Sequence, residues 1–125
     1  MIRILNRSAC RCLLILAACA VAVTAMANDE FEHAKKLYDI YCAQCHGMGR
    51  DGKGINSPTM STAPRNHLSE NMGNIPEAEM EKIIREGGLA VNKSVLMPGW
   101  ESVMTDEEIK GMVSYLYEIC CRENK

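Results

Sequence analysis

Five consecutive residues, Cys42-Ala43-Gln44-Cys45-His46, bring two thiols and an imidazole together at a spacing with known chemical uses. A C-x-x-C pair can serve as a thiol redox couple, as half of a zinc site or, when His follows at once, as an attachment point for c-type haem. The redox couple normally sits between a strand and a helix of an α/β fold, and a zinc site needs two further ligands at suitable spacing. The adjacent His46 suits neither use particularly well, and it suits the third directly. Thiols three residues apart can add to the two vinyl groups on one edge of a haem, and the next residue then sets an imidazole beneath the iron. Cys42 and Cys45 are therefore predicted to carry covalent haem c, with His46 as the proximal iron ligand.

Helices must hold this segment, because alternating strand patterns are absent beyond residue 27. A first helix is predicted from about Asp29 to Tyr41, with Phe31, Ala34, Tyr38 and Tyr41 along one face. A second starts near Pro76, runs through Met80, Ile83 and Ile84, and stops at Gly87-Gly88. The third opens on a capping box, Thr105 with Glu108. Ile109, Met112, Val113, Leu116 and Cys120 then form an amphipathic stripe. The fold class is all-α, with long loops between helices. Loops of that length in a small domain call for something to wrap, and a haem would also replace core that so short a chain can hardly assemble alone.

The start of the chain carries Arg3, Arg7 and Arg11, an apolar run from Cys12 to Ala25, and Ala25-Met26-Ala27 before an acidic stretch. This is the pattern of a secretory signal peptide over residues 1–27, leaving 28–125 as the domain and the periplasm as its destination. Leu16-Ala17-Ala18-Cys19 offers a minor alternative, a lipobox that would anchor the protein through Cys19. A membrane partner is expected only in that case or if the leader is retained. All sixteen acidic residues but only eleven of the fourteen basic ones follow residue 27, so residues 28–125 carry a formal charge of −5. That balance argues against nucleic-acid binding. Four cysteines follow the leader, and the adjacent Cys120 and Cys121 are expected as two thiols, since bridging neighbours requires a strained ring inconvenient within a helix.

The chain resembles small class I monohaem cytochromes c, close to the bacterial c-type domains found as free carriers and as modules of oxidase complexes. The resemblance spans residues 29–121 and rests on Tyr38-Asp39-Ile40-Tyr41-Cys42, Cys45-His46-Gly47, Ile84-Arg85-Glu86-Gly87, Met97-Pro98-Gly99-Trp100 and Ser114-Tyr115-Leu116. It implies the cytochrome c fold around one haem, and it selects Met97 from nine methionines as the distal iron ligand. His67, in the polar loop, is the rival for that position. The resemblance also places Pro58 where a proline carbonyl accepts the hydrogen bond of the proximal histidine. Arg65 and Trp100 are further candidates to meet a propionate.

Two filled axial positions imply electron transfer between transient redox partners and not catalysis at iron. The alternatives are a haem-bearing subunit of a larger reductase, dehydrogenase or terminal oxidase, and a gas-binding or peroxidatic haem protein.

Overall fold

The computed structural model describes residues 28–121; the expected leader, including Cys19, lies outside the described residues. Two compact units divide at Glu32/His33, and residues 28–32 of the first are helical. Everything that follows concerns the second unit. Among the described residues there is no strand.

Helix α1 occupies 33–41 of this unit, and after a turn at Cys42 the chain re-enters a short helix, α2 (Ala43–His46). Helix α3 spans Glu77–Glu86 and α4 spans Asp106–Cys121. Single 3₁₀ turns at Ser57–Thr59, Glu70–Asn74 and Gly88–Val91 punctuate the long connections. Pro76 stands one residue before α3, at its N-cap.

The capping box of α4 forms in both directions. The Glu108 N–H donates to Thr105 Oγ1 at 3.2 Å, and the Thr105 N–H donates to Glu108 Oε2 at 2.8 Å. Two orphan donors of the first turn are thereby satisfied. All five residues of the predicted stripe, Ile109, Met112, Val113, Leu116 and Cys120, are buried. Helix α4 packs against both α3 and the Glu70–Asn74 turn. Tyr38 of α1 is fully buried, its ring 5.7 Å from that of Tyr115 on α4. Methionines supply much of the core: Met72, Met80, Met104 and Met112 are all buried. Their flexible thioethers suit the irregular walls of a cavity.

Cys120 and Cys121 are joined by a disulfide, contrary to the expectation of two thiols. The bond joins the last two residues of α4. Cys42 and Cys45 form no disulfide.

Candidate haem site

The C-x-x-C-H segment is folded onto itself by its own backbone. The Cys42 N–H donates to the Tyr38 carbonyl at 2.9 Å, and the His46 N–H to the Cys42 carbonyl at 2.9 Å. The glycine-rich loop then turns back against it: the Gly52 N–H donates to the His46 carbonyl and the Gly54 N–H to the Cys45 carbonyl. Gly54 must be glycine for this approach, since a Cβ there would lie 2.3 Å from the Gln44 carbonyl oxygen.

Met97 is brought in by a second backbone staple. The Gly88 N–H donates to the Met97 carbonyl at 3.0 Å, and the Trp100 N–H to the Ile84 carbonyl at 3.0 Å. Gly87, at φ +88°, turns the chain from the end of α3 into this contact, a conformation that favours glycine.

Between these two segments lies a cavity of about 680 Å³. Cys42, Cys45, His46 and Met97 line it, with Met80, Ile83, Ile84, Met112 and Leu116 supplying apolar wall. A second cavity of about 490 Å³ shares Cys42, Cys45, His46, Leu96, Met97 and Trp100 with the first. Volumes in this range, apolar with a few convergent polar groups, are those of cofactor sites. Met60 and Met72 also line the larger cavity, but Met97 alone among the methionines lines both. Arg65 and Trp100 are at the wall of the larger cavity as well.

His46 is set for metal binding. Its Nδ1–H donates to the Arg65 carbonyl at 2.9 Å, which leaves the lone pair on Nε2. Burial holds its pKa below the usual histidine value against the opposing effect of that hydrogen bond, so the neutral, ligating form prevails. The acceptor is therefore Arg65 and not Pro58, which is exposed in the Ser57–Thr59 turn and lines neither cavity. The loop path decides this. The His67 N–H donates to the Arg50 carbonyl at 2.7 Å, pinning the end of the polar loop so that Arg65, two residues earlier, faces His46. A backbone acceptor carries no side-chain signature, so composition could not reveal it.

His67, the rival ligand, is buried and stacked on His46, with ring centroids 4.1 Å apart and planes 19° apart. Its Nδ1 accepts from the Tyr38 hydroxyl at 3.0 Å. Burial, reinforced by His46 and Arg65, pushes its pKa down to about 3.

The same burial discriminates among the uses of a C-x-x-C pair. Burial, with Cys45 adding and Arg50 opposing, pushes the Cys42 thiol up to about 12. Thiols of redox-active C-x-x-C motifs are shifted the other way. Among the described residues, no three His, Cys, Asp or Glu side chains gather to hold a metal ion, so Cys42 and Cys45 lack the companions of a zinc site. The cavity, the neutral imidazole and the paired thiols at its wall fit a haem.

Arg50 was not singled out by its sequence context, yet it organises the wall behind the site. Its Nε donates to the Tyr115 hydroxyl and its Nη2 to Asp39, each at 2.7 Å, and its guanidinium lies 4.7 Å from the centre of the Tyr38 ring.

Comparison with known proteins places the chain in a family. Among solved structures, a chain of the reducing HAO-like protein complex of Kuenenia stuttgartiensis is similar, with a TM-score of 0.57 and 25% identity. The alignment covers 75% of this chain and 44% of that one, so the present chain spans less than half of its length. No curated protein matches. Residues 29–116 match the model of a family described as cytochrome c oxidase, cbb3-type, subunit III. The chain belongs to that family: it is a c-type cytochrome domain of electron transfer, with a covalently bound haem c.

Proposed function

We propose that the protein is an exported monohaem cytochrome c that passes single electrons between redox partners. In this reading Cys42 and Cys45 hold the porphyrin, His46 Nε2 is the proximal ligand and Met97 Sδ the distal one. The observation that carries it is the placement of Met97, which shares with Cys42, Cys45 and His46 the lining of both cavities. When bound, the haem supplies a one-electron Fe(III)/Fe(II) couple whose potential Met ligation raises. The chain's contribution is positional. Arg65 fixes the tautomer of His46, the Gly88 and Trp100 bonds fix the Met97 loop, and the apolar walls exclude water. With both axial sites filled from the chain, no position is left for a substrate, which favours a carrier over a catalyst at iron.

Export rests on the basic, apolar and A-x-A pattern of residues 1–27. The formal charge of −5 on residues 28–125 favours partners with positive surfaces, met through small transient interfaces.

A second reading makes the chain a haem-bearing subunit of a larger enzyme. The family description and the similar chain from a multi-protein complex favour it. Gel filtration of the haem-loaded protein from its native membrane and periplasmic fractions separates the two readings. A stable hetero-complex supports the subunit, and elution as a free protein supports the carrier. Axial ligation is tested by optical and redox titration of wild type and Met97→Ala. Loss of the Met-ligated spectrum and a lower potential are expected; an unchanged spectrum and potential would overturn the assignment of Met97.

A further inference from the structure

His67 is the one buried polar or charged side chain among the described residues, at 7% exposure. Burying an imidazole without a partner is costly. This one is supported on several sides. Its backbone N–H is held by the Arg50 carbonyl, its Nδ1 by the Tyr38 hydroxyl, and one face of its ring lies on His46. Tyr38 is itself fully buried beneath the Arg50 guanidinium, which Asp39 and Tyr115 hold in turn. A line of contacts thus runs from an ion pair on α1 to the flank of His46.

An aliphatic side chain could fill the same space. What the tyrosine-held imidazole adds is a plane of fixed orientation. The hydrogen bond to Arg65 constrains one edge of the His46 ring, and a flat neighbour constrains its rotation. Groups beyond the ligands commonly orient metal-binding imidazoles in this way, and aromatic contacts have preferred geometries.

We propose that His67 is a positioning residue for His46: clamped by Tyr38 and stacked on the ligand ring, it fixes the plane in which the His46 imidazole meets the haem iron. This rests on the proximal role of His46 given above. The plane of an axial imidazole governs how unpaired spin is shared among the porphyrin pyrroles in the ferric state. The haem methyl proton resonances report that distribution directly, independently of electron-transfer activity.

The experiment compares haem-loaded wild type, His67→Leu, His67→Phe and Tyr38→Phe by proton NMR of the ferric proteins. His67→Leu is expected to redistribute the four haem methyl shifts. His67→Phe, which keeps a flat neighbour, is expected to stay near the wild-type pattern. Tyr38→Phe should move the pattern in the same sense as His67→Leu, but less. A wild-type methyl pattern in His67→Leu would overturn the proposal while leaving the ligand set intact. A high-spin ferric spectrum in wild type would instead overturn the ligand set itself. Should His67→Leu fail to load haem, Tyr38→Phe decides: an unmoved pattern there overturns the clamp.

Discussion

Arg50 Nε and the Tyr115 hydroxyl, 65 residues apart in the chain, are joined by a 2.7 Å hydrogen bond that ties the loop after His46 to α4. The same guanidinium pairs with Asp39 on α1 and is only 13% exposed. One side chain thereby connects the attachment loop to both helices of the wall behind it.

Replacing Arg50 with Met keeps the stem and removes the donors. Hydrogen bonds to charged groups contribute about 1.5–3 kcal/mol each, and the bonds from Arg50 to Tyr115 and Asp39 would be lost. We expect Arg50→Met to lower the stability of the haem-loaded protein by about 2–3 kcal/mol in denaturant titration, with Arg50→Lys intermediate. A midpoint equal to wild type would show that the bonds are replaced by water without loss.

Cys42 and Cys45 differ from Cys120 and Cys121 in what they face: the first pair lines the cavity, and the second is closed in a disulfide at the end of α4. Acid–acetone extraction should therefore remove haem from the double variant Cys42→Ala/Cys45→Ala. It should leave haem attached in Cys120→Ser/Cys121→Ser. Extractable haem in the second variant would mean that the C-terminal pair takes part in attachment.

Glu108 accepts from the Thr105 N–H and from the His33 side chain. Chiefly that backbone bond, with His33 adding, holds its carboxyl below the usual glutamate value. A depressed carboxylate stabilises the folded state above its unfolded pKa, and the contribution is lost as pH falls through the folded one. Wild type should thus lose stability below about pH 4.5, the ordinary glutamate region, more steeply than Glu108→Gln. Parallel pH profiles for the two proteins would contradict this.

Gly54 and Gly49 lie in one loop but in different surroundings. A Cβ at Gly54 would meet the Gln44 carbonyl at 2.3 Å, whereas at Gly49 the nearest atom is the Asp51 side chain at 3.8 Å. Gly54→Ala should cost about 1–3 kcal/mol, the range of overpacked sites, and should reduce haem loading during expression. Gly49→Ala should leave both unchanged. Equal melting temperatures for the two variants would refute the close-packing argument.

The parts of the site legible in the sequence were those with a local signature. Cys42, Cys45 and His46 are contiguous, and the Thr105–Glu108 box and the α4 stripe obey short periodicities, so each could be read without knowledge of the remaining chain. What escaped depends on where loops return. The acceptor for His46 is a main-chain oxygen, available from any residue, and the path of the loop, held in part by the His67–Arg50 backbone bond, presents Arg65. His67 was legible as a rival ligand in the polar loop, but its stacking on His46 depends on where that loop returns. Arg50 looks like one more charge in a glycine-rich stretch, because its partners lie on helices distant in sequence. The Cys120–Cys121 bond went against a general expectation about rings between neighbours, which no local pattern in the sequence overrides.

The main-chain attachment of Met97 has a consequence for how the proposed iron–sulfur bond would break and reform. Its carbonyl is tied to Gly88, and Trp100, three residues on, is tied to Ile84; neither tie involves sulfur. The thioether hangs from a mounted bracket, free to swing about its own torsions while the bracket stays in place. Were Met97 to hold the iron as proposed, its thioether could leave and return by side-chain rotation alone, kept at the high local concentration of a tethered group.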